Sequence, residues 1–325
     1  MNGATALINT LADCGVEFCI ANPGTSEMHL VQALDAVPRV KSVLALFEGV
    51  CTGAADGIGR MTGKPAATLL HLGPGMANGI ANLHNARRAN SPMINIVGNH
   101  PNFHVGHDAP LTSDVDTLAC NFSCWIKSEC TADSLAQDGA DAYTATLRQS
   151  TGSTGQIATL IMGADAAWGE CDGPAIPNAL PQRSKVNESA VESVASVIEK
   201  NGSTTAILLE HHGSEQASMI AASKITTKYG CRMYNGTFPA RVDGGPGRVK
   251  IDRLPYFPEH VFATLDGVNN LILVGGSIPV SFFAYKGQPL SLIHISRAHE
   301  TLRYVVCGRL RVKKRGGGGG GGGGG

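Results

Sequence analysis

Glu48 is the residue whose type and setting best suit proton transfer. It follows an apolar run at residues 43–47 and precedes a small-residue stretch, so we predict that it lies where a parallel strand meets a helix. The apolar side chains around it are Leu44, Leu46, Phe47 and Val50. We expect them to desolvate the carboxylate and raise its pKa, as proton transfer near neutral pH requires. On position alone, an acid that merely favours a helix dipole is an equal alternative.

Two glycine-containing turns are predicted at the same edge of the sheet. They read Asn22-Pro23-Gly24-Thr25-Ser26-Glu27 and His71-Leu72-Gly73-Pro74-Gly75. The second turn brings bare backbone close to whatever lies above the sheet. Taken singly, Ser26 is a good helix cap, His71 is typical of a structural histidine, and the Gly-Pro-Gly run is only a turn. Together with Glu48, however, these turns make three successive strand ends converge on one cleft.

Alternating helices and strands are the elements that must position these residues. Helices are predicted at residues 4–14, 27–36, 49–62, 76–89 and 133–148, and strands at 17–21, 42–46, 66–70, 93–97 and 156–162. Such an alternation is typical of a parallel sheet covered by helices. We therefore predict an α/β fold made of two three-layer α/β/α domains with mainly parallel sheets.

The domain boundaries follow from composition. The first domain is assigned to residues 1–165, and a Gly- and Pro-rich linker to residues 166–186. A second, incomplete domain at residues 187–289 carries predicted helices at 188–200 and 215–229 and strands at 205–209 and 270–274. Residues 290–325 lose the alternation and end in a basic run and ten glycines. We interpret this stretch as a non-native extension of translated adapter sequence, with a flexible anion-binding tail as the less favoured alternative.

Charge and cysteine content exclude several classes of protein. Lys plus Arg equals Asp plus Glu at 26 each, so no basic field predicts nucleic-acid binding. The apolar runs are far shorter than the ~20 residues that span a bilayer, and we predict a cytoplasmic protein that binds no membrane. An odd number of scattered cysteines agrees with a reducing compartment. Cys120, Cys124 and Cys130 lack the paired spacing of a zinc site, so no metal ligand is assigned.

A longer pattern of motifs then resembles a known family. It comprises Phe47-Glu48-Gly49, Gly53-Ala54-Ala55-Asp56-Gly57, Gly59-Arg60, Gly63-Lys64-Pro65-Ala66, Gly73-Pro74-Gly75, Asn78 and Asn82. Over residues 2–165 the chain resembles the pyrimidine-binding domain of thiamine-diphosphate-dependent enzymes, namely acetolactate synthase large subunits and benzoylformate decarboxylases. The second domain is similar to their central domain through residues 271–276, a far less diagnostic run.

The resemblance implies a coenzyme, thiamine diphosphate, and roles for several residues. In the family, the glutamate that matches Glu48 hydrogen-bonds the aminopyrimidine ring and promotes loss of the thiazolium C2 proton. The coenzyme then decarboxylates a 2-oxo acid or joins it to a second carbonyl compound. The residues matched to coenzyme contacts are Pro23, Gly24, Glu48, Gly73, Pro74, Gly75 and Asn78. His71 matches a catalytic histidine of the decarboxylases and, with Thr25 and Ser26, is assigned to the substrate.

Some features depart from the synthase pattern or are missing. The pocket run of acetolactate synthases is replaced by Gly106-His107-Asp108-Ala109-Pro110-Leu111, and their Gly-Gln by Gly98-Asn99. The family's Mg²⁺ site belongs to a separate diphosphate-binding domain, for which Asp243-Gly244 is rejected because Val242 replaces the first glycine. FAD in the central domain stays undecided. The resemblance implies a homodimer or homotetramer for the complete enzyme.

Two other classes of function remain as alternatives. One is a nucleotide- or flavin-binding module without catalysis, although Asn22-Pro23-Gly24 stands where a dinucleotide-binding glycine turn belongs. The other is a catalytically silent paralogue, which the presence of both Glu48 and His71 disfavours. The synthase-like and decarboxylase-like activities differ only in how the reaction ends.

Overall fold

The chain folds into two compact α/β units, the first of which runs to Gln182. The structure is a computed structural model and describes residues 1–148, 155–182, 187–284, 286 and 291–292, with the backbone of 305–306 and 309–314. Each unit contains one six-stranded sheet. No helix among these residues is long and apolar enough to span a bilayer.

The sheet of the first unit is entirely parallel. Its strands are β1 (Phe18–Asn22), β2 (Lys41–Leu44), β3 (Ala66–Leu70), β4 (Met93–Asn99), β5 (Trp125–Lys127) and β6 (Ile157–Gly163). They lie in the order β2-β1-β3-β4-β6-β5, and every neighbouring pair is parallel. Every residue of β3 and β6 is buried, as expected of central strands covered on both faces.

Helices cover both faces of this sheet. They are α1 (Gly3–Cys14), α2 (Met28–Ala36), α3 (Glu48–Thr62), α4 (Leu72–Ala89), α5 (Asn102–Val105), α6 (Val115–Cys120), α7 (Ala132–Leu147) and α8 (Ala164–Trp168). Along β4, Ile94 and Ile96 join the core formed with α1, α2 and α7, whereas Met93 and Val97 join the core formed with α3, α4 and α6. The two apolar faces of the strands confirm the predicted three layers.

The second unit repeats the three-layer plan. Its helices are α9 (Glu188–Asn201), α10 (Gln216–Tyr229) and α11 (Pro258–Thr264), and its strands are β7 (Thr205–Leu209), β8 (Arg232–Asn235), β9 (Asp252–Arg253), β10 (Asn270–Val274), β11 (Val305–Val306) and β12 (Arg309–Lys314). The order is β11-β12-β10-β7-β8-β9, and β12 runs antiparallel to β10. Ile207 and Ile272 face the α9 and α10 side, while Leu208 and Leu273 face the α11 side.

Three features add to or alter the sequence expectations. Strand β2 ends at Leu44, so Glu48 does not follow the strand directly but is the first residue of α3. Residues 166–182 lie with the first unit, where Gly3 N–H donates to Gly169 O and Ala175 N–H to Thr10 Oγ1. The segment assigned to a non-native extension contributes β11 and β12 to the second sheet.

Candidate active site

Glu48 lies at the N-terminus of α3 and faces the first turn of α4. Its side chain is half-buried, and Asn78 Nδ2 donates a hydrogen bond to its Oε2 at 3.0 Å. A Cβ on Gly75 would lie 3.2 Å from Oε1 and 3.4 Å from His71 Cβ, so bare backbone separates the carboxylate from the histidine. Among the described residues Oε1 has no hydrogen-bond partner and is available to a ligand.

The prediction that apolar neighbours desolvate Glu48 is wrong for this chain. Leu44 is 70% exposed and Leu46 92% exposed, and Phe47 and Val50 are 49% and 57% exposed. The reason is that β2 is an edge strand, all of whose residues are exposed, and the link to α3 continues outward from it. The surroundings of the carboxylate come instead from α4.

Close packing of α3 on α4 fixes the position of Glu48. Thr52 Oγ1 donates to Gly79 O at 3.0 Å, and Asn82 Nδ2 donates to Gly49 O at 2.7 Å. A Cβ on Gly79 would lie 2.8 Å from Thr52 Cγ2, which real Cβ atoms do not tolerate, so glycine is required for this approach. The small-residue pattern therefore serves helix packing, and the packing aims the carboxylate.

A buried ion pair anchors the other end of α3. Asp56 is 7% exposed and binds Arg60 through two hydrogen bonds, from Nε at 2.8 Å and from Nη2 at 2.6 Å. Ser91 Oγ, in the turn between α4 and β4, donates to the same carboxylate. This network explains the Asp56 and Arg60 positions of the motif as scaffolding, since neither residue reaches the strand ends.

His71 precedes α4 and contacts an acid from another strand end. Its Nδ1 lies 2.8 Å from Glu27 Oε2, and its side chain is 23% exposed. The next residue, Leu72, is buried with φ of 53°, in the left-handed region that residues with a Cβ seldom adopt. Backbone strain of this kind is typical of functional sites. A Cβ on Gly24 would lie 2.3 Å from the imidazole, so glycine allows the ring to pack on the first turn.

Glu27 is the site residue that the sequence reasoning missed. Its side chain is completely buried, its Oε2 accepts the Gly24 N–H at 2.7 Å, and its Oε1 has no partner among the described residues. Burial raises the pKa of this carboxyl, while the Gly24 and His71 contacts act in the opposite direction. The signal in the sequence was an acid directly after Ser26, in a turn already assigned to the cleft.

The remaining predicted residues lie at the same edge but make fewer contacts. Thr25 is exposed and Ser26 half-buried in the short 3-10 turn Thr25–Glu27, and Pro23 precedes that turn. Gly73 is buried against Ser113, in the loop after α5, and Pro74 is exposed. The structure thus brings Glu48, Gly75, Asn78, His71 and Gly24 together. No hydrogen bond joins Pro23, Thr25, Ser26, Gly73 or Pro74 to Glu48 in the described part of the chain.

The Glu27 carboxylate has room to pack because Gly98, in β4, has no side chain. A Cβ on Gly98 would lie 1.7 Å from Glu27 Oε1. Gly98→Ala is therefore expected to displace the buried carboxylate and lower the free energy of unfolding by about 1–3 kcal/mol. Gly57→Ala is the matched control, because no atom lies within 4 Å of its added methyl group and alanine favours α3. Urea unfolding that ranks Gly98→Ala as stable as Gly57→Ala would contradict this packing.

Cysteine and histidine side chains near residues 100–130 do not form a metal centre in the described residues. No group of three or more His, Cys, Asp and Glu side chains in that part of the chain could hold an ion. Cys120, Cys124 and Cys130 instead contact three different backbone oxygens, those of Thr117, Ala145 and Ile161.

The strand ends of the second unit surround a different acid, Glu210. Cβ atoms added to Gly236 and Gly276 would lie 2.2 Å and 2.0 Å from its two carboxylate oxygens. Burial raises the pKa of this carboxyl, opposed by a hydrogen bond from the Ser277 backbone. Asp243, the rejected Mg²⁺ candidate, binds the α10 N-terminus through Gln216 N–H and pairs with Arg241. Both Glu210 and Asp243 therefore accept hydrogen bonds from other residues of the second unit.

Comparison with known proteins finds matches to the first unit and to most of the chain. A family model described as "Thiamine pyrophosphate enzyme, N-terminal TPP binding domain" matches residues 1–119. The chain is 48% identical over 293 residues to a Mycobacterium tuberculosis protein named "Putative acetolactate synthase large subunit IlvX", covering 90% of this chain and 55% of that protein.

Two solved structures share the fold. One, from Mycobacterium smegmatis and described as a "putative thiamin diphosphate-dependent enzyme", has a TM-score of 0.78 at 20% identity over 89% of this chain and 55% of that one. The other is a thiamine diphosphate-dependent 4-hydroxybenzoylformate decarboxylase of Rhodococcus jostii RHA1, with a TM-score of 0.76 at 17% identity over 88% of this chain and 53% of that one. The chain thus spans about half the length of the relatives it matches.

Proposed function

Residues 1–119 carry the N-terminal domain of the thiamine pyrophosphate enzymes, and on that premise we propose that the complete protein uses the coenzyme to decarboxylate or join 2-oxo acids. An acetolactate synthase-like activity is favoured by the 48% identity to the mycobacterial relative of that name. The observation that carries the proposal is Glu48 itself. Its Oε1 has no partner among the described residues, beside the bare backbone of Gly75.

The residues present fit the pyrimidine end of the coenzyme. A Cβ on Gly75 would crowd Glu48 Oε1, so glycine at this position leaves space for a flat ring beside that oxygen. Asn78 orients the other carboxylate oxygen, Oε2. When bound, the coenzyme supplies the carbanion chemistry that protein side chains lack. Glu48 would hold a proton at Oε1, Asn78 and Gly75 would fix the direction of its carboxyl group, and His71 would exchange protons with the substrate.

A decarboxylase-like outcome is the second candidate, and His71 favours it. In the decarboxylase-like outcome, the reacting carbon takes up a proton and does not bond to a second carbonyl compound. His71 lies beside Glu48 across Gly75, where it can donate that proton. In the synthase-like outcome, Thr25 and Ser26 at the exposed rim would contact the small 2-oxo acid. Free thiols at the eight described cysteines fit the reducing cytoplasm in which we place the protein.

Other parts of the proposal concern Mg²⁺ and the assembly of subunits. Mg²⁺ would be held by a diphosphate-binding domain, and a homodimer or homotetramer would join that domain to the Glu48 edge. The exposed apolar residues Leu44, Leu46 and Phe47 border this edge and agree with its being covered in an assembly.

The binding-module alternative is weakened by the second unit. Dinucleotide-binding domains place bare glycine backbone against the pyrophosphate after the first strand. Here that place after β7 is taken by Glu210, whose carboxylate fills the space beside Gly236 and Gly276. A half-buried acid at this position disfavours phosphate, so FAD bound in the usual way is the less supported option.

The assay that tests the proposal uses protein expressed from the genomic reading frame with thiamine diphosphate and Mg²⁺. Pyruvate and benzoylformate are supplied separately, and CO₂, acetolactate and aldehyde are measured. Acetolactate from pyruvate is the expected result, whereas benzaldehyde from benzoylformate would select the decarboxylase-like function. Turnover of neither acid, with a folded protein, would contradict both.

A further inference from the structure

The contact between the buried Glu27 carboxyl and His71 includes features that side-chain packing alone does not require. Glu27 is fully buried, although a carboxylate is among the most costly groups to remove from water. A leucine would fill a similar volume without that cost. Three special backbone positions accommodate the pair: Gly24 against the ring, Gly98 against Oε1, and Leu72 with its positive φ.

The contacts of an ionised Glu27 favour a proton on one particular imidazole nitrogen of His71. As a carboxylate, Glu27 has only acceptor oxygens, and its Oε2, which accepts the Gly24 N–H at 2.7 Å, lies 2.8 Å from His71 Nδ1. An acceptor oxygen requires an N–H on Nδ1, and a neutral ring then has its lone pair on Nε2. The nitrogen that faces away from the buried acid is therefore the basic one.

We propose that Glu27 is the positioning residue of His71, holding the ring in the Nδ1–H tautomer so that Nε2 serves as the base at the candidate site. The role of Nε2 as a base rests on the proposed function. The tautomer itself follows from this chain's own contacts. A carboxylate that accepts the far N–H of an imidazole fixes its orientation and strengthens the opposite nitrogen as a base.

Glu48 is not the residue that orients the His71 ring. Its Oε2 is engaged by Asn78, and Gly75 stands between its Oε1 and His71 Cβ. The ring nitrogen nearest an acid is Nδ1, and that acid is Glu27. Removing the charge of Glu48 therefore leaves the tautomer of His71 unchanged.

The test is ¹⁵N NMR of this chain with ¹⁵N-labelled histidine, at a pH where the ring is neutral. The chain has 11 histidines, and the His71 signals are assigned by their loss in His71→Gln. The expected wild-type pattern is a pyrrole-like Nδ1 and a pyridine-like Nε2. Glu27→Gln keeps an acceptor oxygen and should retain that pattern, whereas Glu27→Leu removes the acceptor and should shift the ring toward the Nε2–H tautomer that free imidazole favours.

A matched control comes from the second unit. His212 Nδ1 lies 2.6 Å from Glu215 Oε1, in an exposed pair with the same atoms. Glu215→Leu should change the His212 signals and leave those of His71 as they are. An Nε2–H tautomer in wild-type His71, or identical His71 spectra in wild type and folded Glu27→Leu, would overturn the proposal.

A second measurement separates this inference from the proposed function. In the complete enzyme, Glu27→Leu should lower kcat by about tenfold or more with KM little changed, because a base in the wrong tautomer binds substrate but does not move its proton. If the tautomer shifts and kcat does not, Glu27 still positions His71 and the catalytic role of His71 is what fails.

Discussion

Replacing Glu48 with glutamine is expected to lower kcat of the complete enzyme by at least about a hundredfold, the usual contribution of a positioned general acid or base. Glutamine keeps the size of the side chain and an oxygen for Asn78 Nδ2, 3.0 Å away in the wild type. It cannot hold or release a proton at Oε1. The fall should appear in kcat rather than in the unfolding curve, because the Glu48 side chain makes no hydrogen bond other than that to Asn78 among the described residues.

Glu17→Gln is the control for that substitution. Glu17 is an exposed acid just before β1, at the amino end of the sheet and thus at the edge opposite the strand ends that carry the site. It pairs with Lys64 at 2.7 Å and its side chain is 58% exposed, so the substitution removes a carboxylate without touching the cleft. Equal losses of kcat in both variants, or full activity in Glu48→Gln, would show that Glu48 has no special role.

Truncating Asp56 to alanine is expected to lower the free energy of unfolding of the first unit by about 2–4 kcal/mol. Asp56 is buried, and its loss removes both hydrogen bonds to Arg60 and the acceptor of the Ser91 hydroxyl. Since α3 carries Glu48 at its other end, the variant should also bind coenzyme less tightly once the complete protein is formed. Urea unfolding followed by circular dichroism measures the first effect.

The exposed pair of Asp13 and Arg39 provides the comparison. Its N–O distance is 2.6 Å, the same as that of Asp56 and Arg60, but the two side chains are 38% and 53% exposed. Solvent screening limits such pairs to at most about 1 kcal/mol. Asp13→Ala should therefore have a small effect. If the two alanine variants are equally stable, burial does not strengthen the Asp56 network, and its role as the anchor of α3 is refuted.

The sequence predicted the α/β class, and the structure confirms it, because buried strands and covering helices have distinct patterns. Strands Ala66–Leu70, Thr205–Leu209 and Asn270–Val274 begin and end where predicted. Short elements such as β5 and α6 were missed, since three to six residues carry too little periodicity. Strand β2 ends earlier than predicted because its apolar residues continue into an exposed link, where hydrophobicity alone does not distinguish strand from loop.

The candidate site was predictable as a set of strand ends but not as a set of contacts. Glu48, His71 and Gly75 were placed on one edge by the alternation of elements, and they do lie together. The pairing of Glu27 with His71 depends on Gly98, which comes 71 positions after Glu27 in another strand, and no local pattern joins them. Long-range close approaches of this kind are visible only in three dimensions.

The most direct test of the central claim is the exchange of the C2 proton of thiamine diphosphate with deuterium on the complete protein. This measurement requires no knowledge of the substrate, since it reports only whether the side chain at position 48 assists proton loss from the bound coenzyme. We expect exchange to be at least about a hundredfold faster on the wild type than on Glu48→Gln. Equal exchange rates on the two proteins, with coenzyme bound to both, would contradict it.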